Sequence, residues 1–372
     1  MMKTKKAGPR IIFALFIVVI CGSWIIWSLF RGFTDTENSK KQKLSPMPQI
    51  TSVSDYERFP RKFEEYIDDR LPFRSGLIAL SRSIDYLAFG NVEHDRVAVG
   101  KDDWLFYVYT EDGNPLANYQ GTDLLTEEEL AAVAKNCLRQ RDYLAARGTE
   151  FVIFIAPNKE RIYWEKMPDH YGPPAEDYRV LQVVNYLREN TDLRVVYPYE
   201  ELMAAKEAIP EELYYKTDTH WNFIGGYVGS CALLRELGIE MPSLTSGRIK
   251  ISCTGEYGGD LAKSLGLETL LKSRDRRYTV EGYDTHRAER LQATNDGVYQ
   301  YRAEGADPRK VYVYRDSFFE GMLPFISTQF NESFLRFHSY YKSSDLEDQQ
   351  PDIFVYETVE RYLKNLFDFS VQ

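Results

Sequence analysis

The hydrophobic pattern divides the chain into an apolar run, a polar break, a helical stretch and a long alternation. Residues 11–30 read IIFALFIVVICGSWIIWSLF and contain no charge. At ~1.5 Å rise per residue such a helix spans ~30 Å, one bilayer core. Residues 32–55 are polar and broken by Pro46 and Pro48, as in a linker. Residues 59–90 carry apolar positions at helical spacing, with Pro72 as a break, and predict two helices. From Gly100 onward apolar runs alternate with amphipathic stretches. Strands are predicted over 104–109 (WLFYVY), 151–156 (FVIFIA), 193–197, 310–314 (KVYVY), 333–338 and 352–357 (DIFVYE). The unbroken apolar character of FVIFIA and KVYVY fits strands buried on both faces. Thr126 and Glu129 form a capping box that opens a helix running to residue 147. Further helices are predicted over 177–189 and 221–237, the latter despite Gly225 and Gly226. Strands alternating with helices predict an α/β domain with a mainly parallel sheet covered on both faces. Residues 249–302 fit this alternation less well and read as an insertion with short strands.

The expected organisation is a cytoplasmic tail and transmembrane anchor over 1–31, a linker over 32–55, a membrane-proximal helical segment over 56–99 and the α/β domain over 100–372. Charge sets the orientation. Lys3, Lys5, Lys6 and Arg10 precede the apolar run and only Arg31 follows it. The positive-inside rule then keeps the N-terminus in the cytoplasm and exports the rest, giving a single-pass protein of the cell membrane with an extracytoplasmic domain. A cleaved signal peptide is the competing reading. Its apolar region is usually shorter and ends in small residues, where this chain has Trp24, Ile25, Ile26 and Trp27. Bulky Val18, Val19 and Ile20 argue against a lipoprotein site at Cys21.

The 372 residues are 44% hydrophobic and 27% charged, an ordinary globular composition. The net charge is −10, but residues 1–31 hold five basic and no acidic residues; the remainder has 41 basic and 56 acidic residues, or −15. Such a surface excludes nucleic acid as a long-range partner. An acidic polymer would need a local basic cleft. Four cysteines are too few for a disulfide scaffold, and no CxxC pair suggests zinc. Cys137, Cys231 and Cys253 lie beyond the apolar run; three is odd, so at least one is unpaired or pairs between chains, and a buried inert thiol is the ordinary state. His94, His170, His286 and His338 are scattered without ligand spacing, so no metal and no cofactor is expected.

Ligands of open α/β sheets collect at the carboxyl ends of the strands. Three segments there carry reactive side chains: Pro157-Asn158-Lys159, Lys216-Thr217-Asp218-Thr219-His220-Trp221-Asn222 and Arg315-Asp316-Ser317-Phe318-Phe319. Ser317 sits where a buried strand turns into a helix, a position that exposes its hydroxyl beside backbone N–H groups able to stabilise an oxyanion. A serine needs a base to become a nucleophile. His220 is the best candidate, and Asp218 can accept from one imidazole nitrogen while the other faces Ser317. Taken singly, a serine after a strand is usually a helix cap and an Asp-x-His a surface turn or half of a metal site.

These motifs resemble the AlgX/AlgJ-like O-acetyltransferases, including the Gram-positive DHHW proteins. Asp218-Thr219-His220-Trp221-Asn222 before a glycine-bearing helix resembles the family signature. Arg315-Asp316-Ser317-Phe318 resembles its nucleophile block. FEEYIDDRLPFR (residues 63–74), VGKDDWLF (99–106), Pro157-Asn158-Lys159, Gly259-Asp260-Leu261-Ala262 and Glu357-Thr358-Val359-Glu360-Arg361-Tyr362 resemble further blocks. The resemblance implies an SGNH-hydrolase-like three-layer α/β/α sandwich, circularly permuted so that the Asp/His block precedes the serine; the apolar run places one N-terminal transmembrane helix before it. It implies Ser317 as nucleophile, His220 as base and Asp218 as its orienter. Lys159, Trp221, Asn222, Arg315 and Arg361 are candidates for substrate binding or support, with solvated or ion-paired surface the ordinary role of Lys159 and Arg361. Arg315 stands where SGNH enzymes commonly have glycine. The implied activity is transfer of acetyl through an acetyl-serine to a polysaccharide hydroxyl of the cell envelope. The implied partners are a membrane-bound O-acyltransferase that supplies acetyl and the polysaccharide acceptor. A carbohydrate acetylesterase with the same triad and a non-catalytic assembly scaffold remain alternatives.

Overall fold

The computed structural model describes residues 45–68, 74–90, 92, 94–284, 286–295 and 297–372, with Ile17 and Gly22. The predicted anchor therefore lies outside the described residues apart from Ile17 and Gly22. Among the described residues no helix is long and apolar enough to cross a membrane. The chain divides into two units, Met1–Ala88 and Phe89–Gln372.

The first unit holds the two helices expected from the spacing, α1 (Val53–Asp68) and α2 (Arg74–Phe89). α1 starts inside the segment read as a linker. Thr51 and Ser52 explain the early start, because their hydroxyls donate to the first-turn carboxylate of Asp55 at 2.7 and 2.8 Å.

The second unit contains eleven described strands: β1 (Val97–Val99), β2 (Leu105–Tyr107), β3 (Glu150–Ala156), β4 (Arg194–Val196), β5 (Lys250–Glu256), β6 (Arg276–Glu281), β7 (Glu289–Ala293), β8 (Val298–Arg302), β9 (Asp307–Arg315), β10 (Phe330–Phe337) and β11 (Ile353–Val359). Seven of them form one sheet in the order β4-β3-β11-β9-β10-β8-β7. Its β4-β3-β11-β9-β10 part is parallel, and β8 and β7 extend it antiparallel. The long helices are α3 (Glu127–Ala145), α4 (Arg179–Asn190), α5 (Tyr199–Ala208) and α6 (Phe223–Glu236).

The strand period of two sorts the apolar residues into two cores. Phe151, Ile153 and Ile155 of β3 pack with Tyr312 and Phe354 against Val133 and Cys137 of α3 and Val183 and Leu187 of α4. Val152, Phe154 and Ala156 pack with Val313 and Val355 against Ile224 and Tyr227 of α6. Helices thus cover both faces, making three layers. The capping box opens α3: Glu129 N–H donates to Thr126 Oγ1 at 3.3 Å, and Thr126 N–H to Glu129 Oε2 at 2.9 Å.

The expected strands at 151–156, 193–197, 310–314, 333–338 and 352–357 all belong to the main sheet. WLFYVY does not. It supplies β2, which pairs with β1 in a separate ribbon, and so residues 89–99 join the larger unit instead of the helical segment. α5 went unpredicted because its apolar spacing is weak. The ill-fitting region 249–302 contains the hairpin β5–β6 and the two added strands β7 and β8. Cys137, Cys231 and Cys253 are all free, respectively buried, half-buried and exposed.

Candidate active site

β9 leaves the sheet at Arg315 and the chain enters a single 3₁₀ turn, Phe318–Gly321. Ser317 thus stands at the carboxyl edge of a central strand. Asp316 holds the corner. Its two oxygens accept from Phe318 N–H at 2.8 Å and from Val359 N–H on β11 at 2.7 Å, and its own N–H donates to Glu357 Oε2 at 2.8 Å. Burial beside Asp316 pushes the Glu357 carboxyl well above its usual range. One sequence expectation changes here. Phe318 N–H is already taken by Asp316, so an oxyanion would be met by other main-chain N–H groups of this turn, Ser317 N–H among them.

The facing loop, between α5 and α6, is pinched by a bridge between Tyr214 and Trp221. At its tip His220 Nε2 lies 2.8 Å from Ser317 Oγ, and His220 Nδ1 lies 2.6 Å from Asp218 Oδ1. The same Asp218 oxygen accepts from His220 N–H at 3.0 Å. Its other oxygen accepts from Tyr257 Oη at 2.9 Å and Asp260 N–H at 3.0 Å. Burial opposes charge on Asp218. The His220 hydrogen bonds and the imidazole beside it, with the Asp260 N–H, outweigh that and hold the carboxyl well below its usual range. An anionic Asp218 fixes the imidazole with its free nitrogen toward the serine. Gly259 brings the Tyr257–Asp260 turn close enough for this: a Cβ there would collide with Thr217 O and Asp218 Cβ.

The supporting candidates lie behind this triad. Lys159 is 1% exposed. Its ammonium donates to the carbonyls of Tyr215 at 3.1 Å, Lys216 at 3.2 Å and Asp218 at 2.5 Å, tying down the loop that carries Asp218 and His220. Burial brings its pKa down to about 8. Both expectations for Lys159 are thereby corrected: burial rules out solvated or ion-paired surface, and its three hydrogen bonds to carbonyls leave no ammonium proton for a ligand. Trp221 donates Nε1–H to Phe318 O at 2.8 Å and ties the loop to the serine turn. Asn222 caps α6, accepting from Ile224 N–H at 2.8 Å and Gly225 N–H at 3.3 Å. The glycines of α6 have a packing reason: a Cβ on Gly226 would collide with Gly321 O in the serine turn. Arg315 is buried, pairs with Glu320 at 2.9 Å and lies 4.9 Å from the Tyr299 ring centre. Arg361 is also buried, with its guanidinium 5.2 Å from the Phe318 ring centre.

A cleft of about 240 Å³ opens over Ser317 and His220, walled by Tyr215, Trp221, Tyr257, Phe318 and Glu320. The arrangement can accept the serine proton on His220 while Ser317 Oγ attacks an electrophilic carbon in the cleft. Asp218, His220 and Asp260 bring three possible metal ligands within 4.8 Å of one another. Their atoms are already engaged: both Asp260 oxygens accept from Thr219, at 2.9 and 2.8 Å, and both Asp218 oxygens accept as described. Tyr257 and Glu320 escaped the sequence reading. A lone tyrosine in an irregular segment carries no signal; only the neighbouring Gly259-Asp260 turn pointed to that region.

A family model described as SGNH hydrolase-like domain, acetyltransferase AlgX, matches residues 97–300, more than half of the chain. The match includes Asp218 and His220 and ends before Ser317. The chain is 28% identical over 217 residues to the probable alginate O-acetylase AlgJ of Pseudomonas putida, covering 56% of this chain and 52% of that protein. This alignment spans about half of the relative's length. The probable alginate O-acetylase AlgJ of Pseudomonas fluorescens is 25% identical over 325 residues, covering 82% of this chain and 78% of that one. Among solved structures, a DHHW family protein from Eubacterium siraeum is similar in fold, with a TM-score of 0.54 over 75% of this chain and 96% of that one at 13% identity.

Proposed function

This chain belongs to the family of the SGNH hydrolase-like domain of the acetyltransferase AlgX, and from that membership we propose that it is an O-acetyltransferase acting on a polysaccharide. The observation that carries the reading is the unbroken chain Asp218–His220–Ser317, with a 2.6 Å link between residues two apart and a 2.8 Å link across 97 positions. Ser317 Oγ attacks the acetyl carbonyl of a donor ester and its proton passes to His220 Nε2. The tetrahedral intermediate collapses to acetyl-Ser317, and His220 returns the proton to the leaving oxygen. An acceptor hydroxyl then gives its proton to His220, attacks the acetyl group, and Ser317 departs and is reprotonated. The relatives named as alginate O-acetylases support a uronate polymer as acceptor.

The apolar run at 11–30 supports an anchor with the active site outside the membrane. That site would receive acetyl from a membrane-bound O-acyltransferase. The direct test is turnover of a chromogenic acetyl ester by the full-length chain. Ser317→Ala and His220→Ala are expected to lose at least about a hundred-fold in kcat, and mass spectrometry should find the trapped acetyl on the Ser317 peptide. Equal turnover by wild type and both variants overturns the triad. Hydrolysis that no glycan acceptor ever diverts would make the protein an esterase.

A further inference from the structure

A second cleft, of about 340 Å³, lies beside the first and has no part in the triad. Its walls include Tyr283, Arg287, Tyr301, Leu323, Pro324 and Ser327. The two clefts have no lining residue in common, but consecutive turns of the chain wall them. The turn Phe318–Gly321, which carries Glu320 and Gly321 of the triad cleft, runs directly into the turn Leu323–Ile326, which carries Leu323 and Pro324 of the second. At ~1.5–2.0 Å rise per residue, the six steps from Ser317 to Leu323 cover ~9–12 Å. Side chains follow the same path. Glu320 pairs with Arg315 at 2.9 Å, Arg315 lies over Tyr299, and Tyr299 and Tyr301 lie two apart on one face of β8. Glu320 also lies near enough to Tyr301 to raise its phenol, although burial is the larger cause and Arg290 opposes it.

The lining suits a sugar ring. Tyr283 and Tyr301 are half-buried, so each is held in place while part of it stays open to the cleft. The Tyr283 ring is fixed edge-on to Phe325, with ring centres 4.8 Å apart, and its hydroxyl donates to Pro324 O at 3.4 Å. Rigid amphipathic rings of this kind offer an apolar surface to the C–H face of a pyranose and a hydroxyl to its rim. Arg287 and Asp284 put one charge of each sign in the lining. His286, Ser327 and Thr328 add further hydrogen-bonding groups, and exposed Arg287 is the cation of this lining that can meet a sugar hydroxyl or a uronate carboxylate. A cavity of this size is also in the range of small-molecule sites.

We propose that this second cleft is an acceptor subsite, which holds pyranose units of the polysaccharide chain while a nearby unit presents its hydroxyl to Ser317. The inference rests on the transferase reading and adds where the polymer runs: from the triad, past Glu320, over Tyr301 and Tyr283. A polymer is favoured over a monosaccharide, because only a chain of several units can occupy both clefts.

The test compares acetyl transfer by the full-length chain to a short and a long oligomer of mannuronate, with cello-oligomers as the neutral pair. Wild type should prefer the long oligomer, measured as the ratio of kcat/KM for long to short. Tyr301→Ala and Tyr283→Ala should lower that ratio about ten-fold, and Tyr301→Phe, which keeps the ring, should preserve it. Arg287→Ala, at an exposed position, covers the case in which loss of a ring prevents folding, and should lower the ratio in the same direction. Transfer with no length preference, or a preference that survives in all these variants, overturns the subsite and leaves the transferase intact. No transfer by wild type to any oligomer, with Ser317-dependent ester hydrolysis retained, overturns the transferase reading and the subsite with it.

Discussion

Tyr257 donates its hydroxyl to Asp218 Oδ2 at 2.9 Å, on the carboxylate oxygen that the His220 ring leaves unused. Tyr257 therefore acts on the nucleophile at two removes, by fixing the group that fixes the base. A hydrogen bond to a charged acceptor contributes roughly 1.5–3 kcal/mol, and three other donors remain on Asp218. Tyr257→Phe is expected to lower kcat for a small acetyl ester about ten-fold with the fold retained. Steady-state kinetics with a circular dichroism control checks it, and unchanged kcat would remove Tyr257 from the site.

Lys159 is held charged against burial, which gives a pH signature. Its pKa falls from the usual 10.5 to about 8 in the folded chain, with burial the main cause and the acidic neighbours Glu160, Asp218, Asp260 and Asp275 opposing. Between about 8 and 10.5 the unfolded chain binds more protons at this residue than the folded one does. Its contribution to stability therefore rises with pH across that window. The stability of wild type minus that of Lys159→Met, from denaturant unfolding, should climb over this window. The same rise removes one of three ammonium protons that serve three carbonyls, so activity should fall as stability grows.

Gly226 and the serine turn meet backbone to backbone. Gly226→Ala drives a methyl into Gly321 O. Overpacking of this kind costs about 1–3 kcal/mol, and the relaxing element is the turn that carries Ser317. A lower Tm together with a loss of kcat is expected. Gly238→Ala, with no atom within 4 Å but φ +81, serves as the control that strains the backbone away from the site.

Glu357 accepts Asp316 N–H inside the sheet, and burial favours its neutral form. Glu357→Gln keeps the acceptor oxygen without the charge and should change unfolding free energy by less than about 1 kcal/mol. Glu357→Ala orphans a buried N–H and should cost about 1–3 kcal/mol. Equal losses in both variants would mean that the charged form is the one the fold requires.

Much of this architecture was legible in local pattern. FVIFIA and KVYVY became β3 and β9 because continuous apolar runs can sit only between two helical layers. Thr126 and Glu129 marked a helix start through contacts three residues apart. The chemistry of Ser317, His220 and Asp218 was readable as three residue types at the right places in the strand-helix order. Short strands were expected in 249–302, but not their place in the main sheet, because β7 and β8 are half polar and owe that place to pairing, β8 with β10 and β7 with β8.

Local sequence was enough to mark the apolar runs that become core strands, the boundaries of α3 and the Asp218–His220 pair, each of which is written within a few neighbouring residues. Tertiary structure alone decided that Nε2 of His220 meets Oγ of Ser317, since that contact depends on the sheet order β3-β11-β9 and on Trp221 bonding to Phe318 O. It also decided that Lys159 braces the loop, that Tyr257 reaches Asp218, and that Tyr301 and Tyr283 share a cleft. The physical reason is range: periodicity and capping are written into neighbouring residues, whereas a side chain's distant partners exist only once the chain has folded.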